Sequence, residues 1–228
     1  IIALKPDRLS VFNYAHLPER FMPQRRINSA DLPTPQDKLL MFENSVRQLL
    51  AAGYRYIGMD HFALPDDSLS IAQDSGELQR NFQGYTTHGH CDLIGLGVSS
   101  ISQIGDLYSQ NSSDIKHYQQ VLQEGGLATH RGLMCHTDDH IRRAVIAQLI
   151  CHCKLSFADI EKRFGIEFHE YFADCLPMLE QMARDGLLIL TPGSIRVQPA
   201  GRLLIRSICM LFDAYQSEQS AQRFSRII

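Results

Sequence analysis

The stretch from Arg80 to Gly105, RNFQGYTTHGHCDLIGLGVSSISQIG, constrains the fold more than any other part of this chain. It carries glycines at 84, 89, 95, 97 and 105, yet it is neither polar nor repetitive enough to be a linker. Small and apolar residues alternate through Leu93-Ile94-Gly95-Leu96-Gly97-Val98, which predicts a buried strand. Glycines inside a strand mark a place where another backbone or a ligand comes close. Phe82, Gln83, His88, His90 and Cys91 stand beside it. Two readings are open: a glycine-rich strand packed under a helix, or one wall of a binding site.

The chain has 228 residues, enough for one large domain or two modest ones, and is 44% hydrophobic, enough to fill a core. A net charge of -3 argues against a binder of nucleic-acid backbones, which would show a basic surplus. No apolar run reaches the length of a membrane span and no signal peptide is visible, so no membrane partner is expected. The six cysteines form no Cys-x-x-Cys pair. Scattered thiols of this kind fit a reduced, cytoplasmic protein. The chain opens Ile-Ile-Ala-Leu-Lys-Pro without an initiator Met, which reads as a piece of a longer protein.

Arg8 to Tyr14 reads as a strand. Thr34-Pro35 is an N-cap followed by proline at the first helical position, and apolar residues from Leu39 to Leu50 then keep a helical period until Gly53. Tyr54 to Met59 is a second strand. A strand, helix, strand order of this length predicts parallel pairing. Asp60-His61-Phe62 lies just past that strand, where parallel sheets bind ligands. Asp66 to Gly76 predicts a short helix, Leu93 to Val98 a third strand, and Asp114 to Gln123 an amphipathic helix.

The character changes near residue 132. Thr137-Asp-Asp caps a helix from His140 to His152, Ser156 caps another through Phe164, and Phe168 to Asp185 predicts a third. Two short strands surround Thr191-Pro-Gly-Ser194, and Ala200 to Tyr215 predicts a last helix. This order resembles a winged helix. The tail after Gln216 is polar, with Phe224 and Ile227 able to dock.

The chemistry-bearing residues are ambiguous from pattern alone. His88-Gly-His90-Cys91 lacks the second ligand group that a zinc site needs. Cys151 and Cys153, two apart in a predicted helix, point to different sides. Asp60-His61 at a strand end is an acid–base candidate by position. Arg142, Arg143, Arg202 and Arg206 could receive carboxylates or stand on solvated helix faces. No P-loop, GxGxxG, GxSxG or HExxH motif is present.

The residues themselves are similar to a known family. Pro6–Pro18 (PDRLSVFNYAHLP), Ile57–Asp67 (IGMDHFALPDD), Arg80–Thr87 (RNFQGYTT), Asp92–Ser102 (DLIGLGVSSIS), Gly201–Met210 (GRLLIRSICM) and the terminal FSRII resemble oxygen-independent coproporphyrinogen III oxidase, a radical S-adenosylmethionine enzyme of haem biosynthesis. The resemblance runs in order through essentially the whole chain. The family's Cys-xxx-Cys-xx-Cys motif, which holds a [4Fe-4S] cluster, is absent. The chain therefore resembles the C-terminal half of the enzyme.

That resemblance implies an α/β fold: the C-terminal strands of an incomplete TIM-like barrel over residues 1–132, then a mostly helical, winged-helix-like domain over 133–228. It implies oxidative decarboxylation of two propionates of coproporphyrinogen III to vinyls, giving protoporphyrinogen IX, by a 5′-deoxyadenosyl radical. An electron acceptor that the sequence does not identify takes the electron. By motif match, Ala15 and Ile101 line an S-adenosylmethionine site, Phe82 and Gln83 fall at the active site, and His61 and Arg80 are further candidates. The cluster ligands are expected in the absent half, this piece alone is expected to be inactive, and its strand Arg8–Tyr14, a cut barrel edge, is expected to self-associate. A competing reading is a nucleic-acid-binding winged helix with an α/β sensor domain. Against it, Phe168 to Asp185 carries Glu170, Asp174, Glu180 and Asp185 with Arg184 as its one Lys or Arg.

Overall fold

Thr34 begins the first long helix as the sequence requires. Its hydroxyl accepts from the Asp37 amide while the Asp37 carboxylate accepts from the Thr34 amide, closing a capping box ahead of α1 (Pro35–Ala51). The structure is a computed structural model, and it describes residues 1–215. Strand β1 (Arg8–Ser10) precedes α1, and β2 (Arg55–Gly58) and β3 (His61–Ala63) follow it.

The sheet order is β1-β3-β2, and both ladders are antiparallel. β1 and β2 therefore run in the same direction, as the strand, helix, strand pattern requires. They are not neighbours, because β3 turns back between them. This corrects the expected parallel pairing. Asp60-His61 is likewise not a free strand end: His61 opens β3. Gly58 and Met59 take positive φ (155 and 53), a tight bulged turn that propensity alone does not announce.

Helix α2 (Ser68–Ser75) is capped by Asp67, whose carboxylate accepts from the Leu69 amide. A hairpin of β4 (Gln79–Asn81) and β5 (Gly84–Thr86) comes next. The expected buried strand over 93–98 is a correction. Leu93 makes one isolated bridge to Gln103, and the rest is an exposed loop, with Leu96 88% accessible. The regular strands lie just beyond, as β6 (Ile101–Ile104) and β7 (Leu107–Asn111), joined by a turn at Gly105-Asp106. Helix α3 (Ile115–Gln123) is capped by Asp114, and β8 (Thr129–Met134) completes an antiparallel sheet β6-β7-β8.

Helix α4 (Thr137–His152) starts three residues before the expected His140, and its N-cap is His136 rather than Thr137: the His136 amide donates to Asp139. Strand β9 (Lys154–Ser156) and α5 (Phe157–Phe164) follow. The single helix expected over 168–185 is broken into α6 (Phe168–Tyr171), a 3-10 turn, and α7 (Leu176–Arg184). Pro177 explains the break, since it has no N–H to give a continuous helix but fits a first turn. Strands β10 (Leu188–Thr191) and β11 (Ser194–Val197) form the wing, with β9 added on the far side of β11. The last predicted helix also divides, into α8 (Pro199–Leu203) and α9 (Ile205–Met210), at Leu204. The expected docking of Phe224 and Ile227 falls outside the described residues.

Among the described residues, buried apolar side chains gather into three groups. The largest joins α4, α5, α6, α7, α9 and the wing through Val145, Phe157, Phe168, Leu179, Ile208 and Ile195. Phe157 and Phe168 stack face to face at 3.9 Å. A second group, Ile57, Leu69, Leu78 and Tyr85, meets Cys151 of α4. A third packs α1 on the first sheet through Leu49, Tyr54 and Phe62.

Candidate active site

Two turns carry the candidate residues, and Tyr85 lies between them. The β2–β3 turn supplies Asp60 and His61. Asp60 Oδ1 lies 2.8 Å from His61 Nδ1. A carboxylate can only accept, so Nδ1 donates and Nε2 is left as the working nitrogen. Burial pushes the Asp60 carboxyl up, but the His61 hydrogen bond and charge, the backbone and Arg80 together hold it below the usual range. Tyr85 stands edge-on to His61 at 5.4 Å, with Phe12 at 6.4 Å from the imidazole.

The β4–β5 hairpin supplies the rest. Its two-residue tip is Phe82-Gln83, held by the Asn81 side chain, which accepts from the Gln83 amide at 2.8 Å. Gly84 has φ +129, and a Cβ there would sit 3.1 Å from His61 Nε2. The glycine thus brings the histidine against the base of the tip. Phe82 is 53% exposed and meets Tyr108 of β7 edge-on at 5.2 Å.

The hairpin is fixed from below. The Tyr85 hydroxyl donates to the Ile150 carbonyl at 3.0 Å, one of the last carbonyls of α4, which lacks a helical partner. A Cβ on Gly58 would strike that hydroxyl, so the β2 glycine makes room for the anchor. The Arg80 guanidinium lies 5.0 Å from the Tyr85 ring centre, and its Nη1 is buried without a hydrogen-bond partner among the described residues. Burial drives the Tyr85 hydroxyl far above its ordinary range, beyond what Arg80 offsets, so it stays a donor.

His61, Arg80, Phe82 and Gln83 are therefore brought together. Ala15 and Ile101 stand elsewhere. The Ala15 carbonyl accepts from Gln24 Nε2 at 3.0 Å, and Gln24 Oε1 accepts from the Leu17 amide, which pins the segment after β1. Ile101 opens β6 opposite Gln110. A Cβ on Gly95 would lie 2.6 Å from the Ile101 carbonyl oxygen, so the close approach that this glycine permits is between two stretches of this chain. Gly97 faces open space at φ +102.

Other sequence candidates resolve differently. His88, His90 and Cys91 are exposed, and no group of three His, Cys, Asp or Glu able to hold a metal occurs among the described residues. The described residues thus do not fit an iron–sulfur cluster. Arg142 is committed to Asp138 and the Phe212 carbonyl, and Arg143 to Tyr108 and His140. Tyr85 and Tyr108 were not singled out in the sequence. Their one signal is an aromatic among small or polar residues, which is common in strands.

Residues 136–204 match the family described as HemN C-terminal domain. The oxygen-independent coproporphyrinogen III oxidase of Thermostichus vulcanus is 43% identical over 100% of this chain, which covers 70% of that protein. The chain belongs to the oxygen-independent coproporphyrinogen III oxidase family. The family's protein from Pseudomonas aeruginosa is 68% identical over the whole chain, and that from Escherichia coli (strain K12) 52%. The chain spans about half the length of these two relatives, 50% of each, and carries the family's C-terminal domain. A solved structure titled as coproporphyrinogen III oxidase (HemN) from Escherichia coli, a radical SAM enzyme, superposes with a TM-score of 0.90 at 52% identity. It matches 94% of this chain and half of that one. The fold is thus the α/β arrangement with a winged-helix-like C-terminal unit that the sequence implied.

Proposed function

We propose that this chain is the C-terminal part of an oxygen-independent coproporphyrinogen III oxidase, contributing the wall of the active site that faces the substrate. One observation carries the reading: 94% of the chain superposes on the solved radical SAM oxidase at 52% identity. The substrate is coproporphyrinogen III, and the reaction converts two of its propionates to vinyls. When bound, S-adenosylmethionine supplies the radical that takes a hydrogen from the propionate.

This chain's residues bind and orient. Phe82 offers an exposed ring at the hairpin tip, and Gln83 an amide beside it. His61, steered by Asp60 at Nδ1, turns Nε2 toward the base of that tip. Ala15 offers a carbonyl, already sharing one lone pair with Gln24, and Ile101 an apolar side chain, both toward S-adenosylmethionine. The cluster ligands lie in the other half of the longer protein. Apolar residues exposed on the first forty positions, Leu4 at 84%, Phe12 at 75% and Met22 at 69%, suit a face covered by that half. Residues 1–132 then form the barrel part and 133–228 the C-terminal domain, in a cytoplasmic enzyme.

Anaerobic purification of the chain alone tests this reading. It should carry no iron–sulfur chromophore and leave S-adenosylmethionine intact. Unaided cleavage would overturn the proposal.

A further inference from the structure

We propose a second ligand site, independent of the oxidase reading: a basic cleft between α2 and the wing sheet that takes a phosphate-bearing anion. The cleft has a volume of about 560 Å³, within the range of small-molecule pockets. Lys154, Arg196 and Arg202 line it, with His152 at its edge.

The sheet register makes this cluster more than a solvated face. Lys154 of β9 and Arg196 of β11 are direct cross-strand partners. Like charges in that position oppose each other and cost stability. An anion between them turns the repulsion into two charge-assisted bonds. Arg202 adds a third cation from α8. Its guanidinium stacks over Tyr56 at 5.3 Å and donates from Nη2 to the Tyr56 carbonyl at 3.4 Å, while its Nε is buried without a hydrogen-bond partner among the described residues. One carboxylate, Asp74 of α2, shares the cleft, and Arg55 holds it in a salt bridge. Burial and then Lys154 drive His152 below its ordinary pKa, against a hydrogen bond to the Leu78 backbone, so it adds no positive charge to the three cations. Val197 and Pro199 give an apolar floor. Two guanidinium groups, one ammonium and an apolar floor suit a phosphomonoester or a diphosphate better than a single carboxylate.

Calorimetric titration of the full chain with inorganic pyrophosphate, beside sodium chloride at equal ionic strength, tests the site. Pyrophosphate should release heat and raise the melting temperature, and chloride should do neither. Lys154→Glu replaces the like-charge pair with an opposite-charge pair. It should weaken pyrophosphate about tenfold or more while raising the melting temperature of the unliganded protein. Arg196→Ala should weaken binding in the same way. Lys162→Glu, an equal charge change at an exposed position on α5 outside the cleft, should leave binding as it was. No pyrophosphate heat, undiminished binding by the Lys154 variant, or an equal loss in the Lys162 variant would each overturn the proposal.

Discussion

At the scale of single residues, glycines decide what the candidate site can hold. Gly95 packs against the Ile101 backbone, whereas Gly193 meets nothing within 4 Å and has no positive φ. Gly95→Ala should therefore cost about 1–3 kcal/mol in thermal or denaturant unfolding, and Gly193→Ala close to nothing. Equal costs would mean that the Gly95 contact is not tight. Asp60 gives a pH prediction. Its folded pKa is depressed, so its contribution is fully present above the ordinary carboxylate value near 4 and lost as pH falls through the folded value. The stability gap between the unaltered chain and Asp60→Asn should be widest at neutral pH and close in acid. A gap independent of pH would contradict the Asp60–His61 hydrogen bond as a source of stability.

At the scale of elements, the site depends on a three-residue hairpin arm borrowing an anchor from α4. Tyr85→Phe leaves the Ile150 carbonyl without that donor and should cost about 1–3 kcal/mol, while loosening the Phe82-Gln83 tip. Hydrogen exchange at 79–86 should rise more than at α5. Much of this level was legible in the sequence. Thr34-Pro35, Asp114 and Ser156 all start helices, because capping chemistry is local. What was missed depends on contacts between distant segments. The glycine-rich 93–98 stretch looked like a strand, but its neighbours across β6 and β7 turn it into a loop held by Ser102, Ser100 and Asn111. The β3 turn-back needs positive φ at Met59, which no pattern marks. Phe82 and Gln83 became candidates through family resemblance alone, and the Lys154–Arg196 pair had no signal, since β9 is three residues long.

At the scale of the whole molecule, β1 is one of several edge strands among the described residues. β1 ends the sheet order β1-β3-β2 and has no second neighbour among the described residues. We expect the chain to self-associate through it at high concentration, and sedimentation should show mass rising with concentration. A constant monomer mass would sink that expectation. The larger claim is that the Phe82-Gln83 hairpin and the Asp60–His61 pair form the substrate-facing wall of an oxidase whose other wall lies in another half. The most direct measurement joins this chain to the N-terminal half of the Pseudomonas aeruginosa relative and follows propionate-to-vinyl conversion of coproporphyrinogen III under anaerobic conditions. The account predicts protoporphyrinogen formation by the fusion, none by the chain alone, and a loss of about a hundredfold or more with Phe82→Ala together with Gln83→Ala in a protein that still melts cooperatively. A folded, cluster-bearing fusion that forms no product, or one indifferent to both substitutions, would contradict it.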